Sequence, residues 1–222
     1  MPRLSAMLAT AGLVAAAAVS IAAARPVRDV VPGPGTRADS TLEHADAGRI
    51  RGAASATVWL VEASDFQCPY CKQWHDETYP LILKEYVNTG KVRLAYLNFP
   101  LEMHQHAQVA AEAAMCASAQ GKFWEMHDAL FSSQAQWENL PNPMSVFEGL
   151  ATKAGVNVAA WRTCVTSHAT LPLIAADKDR LNRSGVGSTP TFFIGSQKIE
   201  GAYPIAVFRD ALDKALAAAA KR

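Results

Sequence analysis

Two cysteines in Cys68-Pro69-Tyr70-Cys71 offer the most specific chemistry in the chain. Ahead of them, Ala56-Thr57-Val58-Trp59-Leu60-Val61 is a β-branched and aromatic run of the kind that forms a buried strand. Behind them, Trp74, Tyr79, Leu81, Ile82 and Tyr86 recur at helical spacing. A dithiol at such a strand-to-helix junction sets its first sulfur beside unpaired backbone N–H groups and the positive end of the helix dipole, which favour the thiolate. The second sulfur falls one turn further in, close enough to close a disulfide and shielded from water. Cys68 is therefore the expected attacking sulfur and Cys71 the resolving one. Pro69 suits an early helical position, where no N–H is needed. Each unit by which the Cys68 pKa falls favours the thiolate by about 1.4 kcal/mol and makes this sulfur a better leaving group from a mixed disulfide.

Two other readings of the pair stay open at this point. A Cys-x-x-Cys motif can be half of a zinc site, with Cys116 and Cys164 as the other half, although those two are not closely spaced as in zinc-binding knuckles. An inert structural disulfide is the third reading, but so tight a loop is strained, and strained disulfides tend to be labile.

The elements that must hold the dithiol follow from the pattern around it. The helix after Cys71 runs by its spacing to Asn88, with a stop at Thr89-Gly90 and a kink expected at Pro80. Val92-Arg93-Leu94-Ala95-Tyr96-Leu97 is the next strand and ends before Pro100. From His104 to about Arg183 every signal is helical, with Val109, Ala113 and Cys116 on one face and Phe123, Met126 and Leu130 on another. Thr191-Phe192-Phe193-Ile194 and Gln197-Lys198-Ile199, set off by Gly195 and Gly201, read as a β-hairpin. A last amphipathic helix from Pro204 turns Ile205, Phe208, Leu212 and Leu216 to the core. This is an α/β order, one sheet covered by helices, with a helical insertion at about 103–184 between the second strand and the hairpin.

A chain of 222 residues, half of them hydrophobic, suits one domain with a sizeable core. A net charge of +1 without a Lys or Arg run gives no footprint for nucleic acid or an anionic membrane surface. Arg3 is followed by a charge-free, Ala-rich run from Leu4 to Ala24, which reads as an export segment. Residues 1–24 are then a cleaved signal peptide, with small residues at Ala22-Ala23-Ala24, or a retained membrane anchor, and an Ala-rich helix of the fold is the bland alternative. Residues 25–54, with Pro26, Pro32, Gly33, Pro34 and Gly35, read as a linker to a domain over 55–222. An even cysteine count fits the oxidising side of a membrane. His75, His104, His106, His127 and His168 match no compact metal-ligand spacing, so neither a metal nor another cofactor is expected.

Asp65-Phe66-Gln67-Cys68-Pro69-Tyr70-Cys71, taken with Gly187-Ser188-Thr189-Pro190-Thr191, resembles the DsbA-like branch of the thioredoxin superfamily. The likeness runs from about Gly52 to the last helix and includes Asn98-Phe99-Pro100-Leu101 and Gln120-Gly121-Lys122-Phe123-Trp124 ahead of Met126-His127-Asp128. It implies a thioredoxin-like fold, a monomer, and disulfide transfer to client proteins with thiols. It also implies a cis Pro190 whose loop, with Thr189, faces the dithiol and receives the client backbone. An X-Pro bond ending a Gly-rich loop before a strand is where a cis peptide is tolerated, and a trans turn proline is the alternative.

Glu62 stands where this superfamily sets a buried acid beneath the resolving cysteine, and a carboxyl there could take the Cys71 proton. Otherwise it is a strand-end charge reaching water. Tyr70 departs from the resemblance, since many strong oxidants of the family carry His there, and this leaves the oxidising strength open. Cys116 and Cys164 match a second pair often found in related sequences. If bridged, they close a loop of about fifty residues, worth at most roughly 4 kcal/mol; two small buried thiols are the alternative. The resemblance thus implies an exported, periplasmic or extracytoplasmic oxidant, reoxidised by a redox partner such as a membrane quinone-linked oxidase. A reductase or isomerase, or a non-catalytic chaperone or binding module on the same scaffold, are the competing functions.

Overall fold

The structure is a computed structural model that describes residues 40–221. The export segment at 1–24 and the linker as far as residue 39 lie outside the described residues. The chain order is α1 (Ser40–Gly48), β1 (Ile50–Arg51), β2 (Val58–Ser64), α2 (Pro69–Glu77), α3 (Tyr79–Ile82), a π-helical turn (Leu83–Val87) and β3 (Val92–Asn98). The insertion follows as α4 (Ala107–Ser118), α5 (Phe123–Ser132), α6 (Gln134–Trp137), α7 (Met144–Ala154), α8 (Val158–Thr166) and α9 (Leu171–Arg183). The chain closes with β4 (Thr191–Ile194), β5 (Gln197–Glu200) and α10 (Ile205–Ala219).

The strands form one sheet in the order β1-β3-β2-β4-β5, in which β2 and β3 run parallel and the other pairs antiparallel. The alternation of a pleated strand sorts the central residues between two apolar layers. Leu60, Leu94, Tyr96, Phe192 and Ile194 face the layer that holds α2, α10 and most of the insertion. Val61, Ala63, Ala95, Leu97 and Phe193 face a smaller layer with Leu181 and Val186. The same parity sends Glu62 and Ser64 toward α2. On that side Trp74 locks helix to sheet, with its ring 4.6 Å from Phe192 and 5.8 Å from Phe208 of α10.

The helical segment after Cys71 is interrupted for one residue, Thr78, just ahead of Pro80, as the kink expected there implies. α2 stops at Thr78, whose N–H still donates to Trp74 O at 2.9 Å, and α3 restarts with Pro80 in its first turn, where its missing N–H costs nothing. The final turn widens so that Asn88 N donates to Leu83 O at 2.8 Å.

Residues 40–51 correct the linker reading of 25–54. They form α1 and the edge strand β1, which pairs Ile50 with Ala95 and Arg51 with Leu94. Helix α1 lies so close to α4 that a Cβ on Gly48 would overlap Ser118 Oγ, which donates to Ala45 O at 2.7 Å. Arg49 is buried between Asp46 and Asp177, and Asp177 also accepts Asn98 N at 3.0 Å and Asn98 Nδ2 at 3.1 Å. Local polarity hid this segment because its order comes from a carboxylate 128 residues away.

Within the insertion, Cys116 of α4 and Cys164 of α8 are joined by a disulfide across 48 residues, with Cα atoms 5.8 Å apart. Six alanines between Ala107 and Ala117 let α4 pack closely, and Trp161 Nε1 donates to Ala113 O at 2.9 Å. Arg49→Met is expected to cost roughly 3–5 kcal/mol, because two buried carboxylates lose their cation. Urea unfolding followed by circular dichroism measures it, and a loss below about 1 kcal/mol would mean that water already solvates this pair.

Candidate active site

The loop from Ser64 to Cys68 is held by side chains from distant elements. Asp65 Oδ1 accepts Gln67 N at 2.8 Å, while its Oδ2 accepts Leu101 N at 2.9 Å and meets His104 Nδ1 at 2.7 Å. Gln67 bridges to the insertion, with Nε2 donating to Glu138 O at 2.9 Å and Oε1 accepting His106 N at 2.7 Å. From α6, buried Gln134 donates through Nε2 to Phe66 O at 2.7 Å and to Cys68 O at 3.2 Å. The helical insertion is thus the clamp that sets the height of Cys68. Gln134 and His104 have no site assignment from the sequence, because nothing in their spacing ties them to a motif more than thirty residues away.

Cys68 is the N-cap of α2, in extended conformation at φ −70° and ψ 125°, and Pro69 occupies the first helical turn. Its Sγ lies 3.4 Å from Thr189 O, and the Thr189–Pro190 peptide is cis. Cys71 is fully buried beneath it, where Asp65 N donates to its Sγ at 3.5 Å. Both thiols are free. Hydrogen bonding from Cys71 lowers the Cys68 pKa to about 6 against the cost of burial, with Thr189 and the Tyr70 and Cys71 backbone adding to it. Burial and the neighbouring Cys68 push Cys71 well above the ordinary thiol range. One sulfur is made anionic and the other kept protonated.

Glu62 is fully buried, and neither carboxyl oxygen has a hydrogen-bond partner among the described residues. Burial raises its pKa to about 7, against smaller opposing effects of Ser64 and His75. In β-sheet register it faces Tyr96 on one side and Phe192 on the other. Ser64 Oγ and Tyr96 Oη are likewise buried without partners. The carboxyl therefore sits buried in a polar patch with Ser64 and Tyr96, on the face of β2 that packs toward α2, and its proton affinity lies near neutral pH.

Around the dithiol, Tyr70 is 63% exposed and stands with Tyr203, 49% exposed, on a groove of about 400 Å³ that Gln73, Ser188, Thr189 and Glu200 also line. Thr189 Oγ1 is buried and has no hydrogen-bond partner among the described residues. The bridge between Cys116 and Cys164 lies in the insertion, apart from the dithiol, so those sulfurs do not complete a zinc site with Cys68 and Cys71. His104 and His106 are turned to Asp65 and to Leu140 O, and His168 to Glu112. The fold does, however, bring His75, His127 and Asp128 together, which spacing along the chain did not reveal.

The family model described as thioredoxin matches residues 44–214. The Na(+)/H(+) antiporter NhaA 1 of Salinispora arenicola is 35% identical over 173 residues, which are 78% of this chain and 25% of that protein. This chain thus spans about a quarter of the length of the antiporter-named relatives it matches first. Probable disulfide bond formation protein D of Bacillus anthracis is 26% identical over 148 residues, covering 64% of this chain and 67% of its own. Oxidised BdbD from Bacillus subtilis superposes with a TM-score of 0.70 at 22% identity, over 77% of this chain and 94% of that one. Wolbachia pipientis α-DsbA1 does so at 0.69 and 24%, over 77% and 92%. These structures share the fold.

Two measurements probe the electrostatics. Ultraviolet titration of the thiolate in the reduced protein is expected to give a midpoint of about 6 for Cys68; a value of about 8.5, that of a free cysteine, would remove the asymmetry. Glu62 titrates at about 7 folded and near its ordinary 4.5 unfolded, so between those values the folded state holds a proton that the unfolded chain has lost. Stability accordingly falls as pH rises through this window, by on the order of 3 kcal/mol. Glu62→Gln is expected to flatten that fall in urea midpoints taken from about pH 4 to about pH 8, and an unchanged slope would place the carboxyl in water.

Proposed function

This chain belongs to the thioredoxin family whose model it matches, and we propose that it is an exported, DsbA-like thiol–disulfide oxidoreductase that oxidises client dithiols. The observation that carries this reading is the approach of Cys68 Sγ to Thr189 O at 3.4 Å, which sets an activated sulfur against the cis-Pro190 loop. A client strand laid along that loop would bring its own cysteine to Cys68.

The reaction proceeds from the oxidised pair. A client thiolate attacks Cys68 Sγ, a client–Cys68 bond forms, and the Cys68–Cys71 bond breaks with its electron pair going to Cys71. Cys71 takes a proton, for which Glu62 is the proposed donor, since burial keeps this carboxyl protonated close to neutral pH and Cys71 holds its proton more firmly still. A second client thiolate then attacks the client sulfur of the mixed disulfide, and Cys68 leaves as a thiolate, as its pKa of about 6 favours. The client loses two electrons and the enzyme gains them. A redox partner, for which a membrane quinone-linked oxidase is the expected class, restores the disulfide. Thr189 and Pro190 hold the client backbone, Pro69 and Tyr70 shape the entrance, and the Cys116–Cys164 bridge fixes the insertion.

Export rests on the apolar run before Arg25. Among the described residues no helix is long and apolar enough to cross a membrane. The names of the antiporter relatives belong to proteins about four times as long as the matched segment, and no transport role is carried over.

The presence of Tyr70 favours one competing direction, a reductase, because an imidazole that would deepen the thiolate well is absent. Oxidation of a reduced client by the disulfide form, compared with Cys68→Ser, tests the activity; wild type is expected to accelerate it and Cys68→Ser to fall to the uncatalysed rate. Equilibration with glutathione tests the direction. A potential near about −270 mV, typical of thioredoxin, would make the protein a reductant.

A further inference from the structure

Below the dithiol, on the side of α2 away from its N-terminus, three side chains of metal-ligand type converge. His75 comes from α2, four residues after Cys71, while His127 and Asp128 come from α5 of the insertion. One ligand atom of each lies within 4.8 Å of the others. We propose that His75, His127 and Asp128 form a binding site for a divalent transition-metal ion of the zinc class, joining the helix of the redox pair to the insertion.

The two imidazoles are already fixed. His127 is fully buried, with its ring in edge contact with Phe66, Tyr96 and Phe131 at 5.1–5.8 Å. His75 stacks on Tyr79 at 5.3 Å. Its Nδ1 is 3.0 Å from Asp76 Oδ1, an outer carboxylate contact that turns Nε2 toward the site as a ligand. His75 Nε2 lies 3.5 Å from Asp128 Oδ1, close to the roughly 3.3 Å that two ligands keep around a tetrahedral zinc with bonds of about 2.0–2.1 Å. The 2.7 Å between His127 Nδ1 and Asp128 Oδ1 is shorter and has to open. Asp128 is the member able to move, since its side chain is 45% exposed.

Two nitrogens and one carboxylate favour zinc-like ions over magnesium or calcium, which take oxygen ligands. Three protein ligands with an open side toward water make an exchangeable site rather than a closed structural one. The nearby cation Arg51 is engaged elsewhere, with Nη1 donating to Tyr79 Oη at 2.8 Å and its guanidinium over the Trp124 ring. Asp76 is paired with Lys72 Nζ at 2.7 Å, so with neutral imidazoles it is Asp128 that supplies the charge facing a divalent ion.

The inference does not rest on the exchange activity, and its test is kept separate from the thiols. In the oxidised, untagged chain all four cysteines are in disulfides, so no thiolate can bind the probe. Titration of this form with zinc chloride by calorimetry is expected to show one ion per chain, and cobalt(II) to give a visible d–d band of low coordination number. His75→Gln and Asp128→Asn, which leave the buried ring of His127 in place, should each weaken zinc by at least about tenfold, whereas His168→Gln should not. Zinc should also raise the thermal midpoint of wild type and not of those two variants. Absence of heat at micromolar zinc in folded wild type, or binding that survives both His75→Gln and Asp128→Asn, would overturn the site and leave the cluster as an imidazole–carboxylate contact.

Discussion

The unequal treatment of two neighbouring sulfurs is the constraint on which this molecule turns. Cys68 caps the helix and collects hydrogen bonds from Cys71 and from the amides of the first turn, while Cys71 is shut into the core. Their covalent distance is set by two intervening residues, but their chemical difference is set by surroundings. A helix dipole alone would favour both to different degrees; it is the added burial of Cys71 that keeps one proton in place while the other leaves.

Holding that difference requires a loop that does not shift. The polar pins of Asp65, Gln67 and Gln134 all end on backbone groups or on other buried side chains, so each satisfies a group that would otherwise be stranded away from water. The partners come from the segment ahead of α4, from α6 and from the turn at Glu138, and all of them follow the loop in the chain. The insertion is therefore more than a cover for one face of the sheet. Its own shape depends on the Ala-rich α4, on the bridge to α8, and on α1 packed against it.

The strand parity of β2 ties this frame to a buried acid. Because Leu60, Glu62 and Ser64 share one face, the strand that supplies core apolar surface also carries a buried carboxyl on the side of the sheet that packs toward α2. Leaving that carboxyl without partners costs stability in its ionised form, and such a cost is what brings its proton affinity near that of the working pH. The buried aromatic layer around Trp74, Phe192 and Phe208 on the same side of the sheet supplies apolar contact that offsets this cost.

What depends on near neighbours can be read from the residues alone. The strand-to-helix placement of Cys68, the early proline, the hairpin around Gly195 and the helical character of residues 107–183 all follow from periodicity and turn chemistry acting over a few residues. Tertiary structure alone decided what depends on distant partners. The segment 40–51 is polar in isolation and is ordered by Arg49 reaching Asp177. Cys116 could pair with Cys164 only because α4 and α8 come side by side. His75 and His127, 52 positions apart by their numbers, meet only across two packed helices. Short-range propensities are written locally, whereas charge pairing, burial and convergence of ligands arise only when the folded chain excludes water between residues that the sequence keeps far apart.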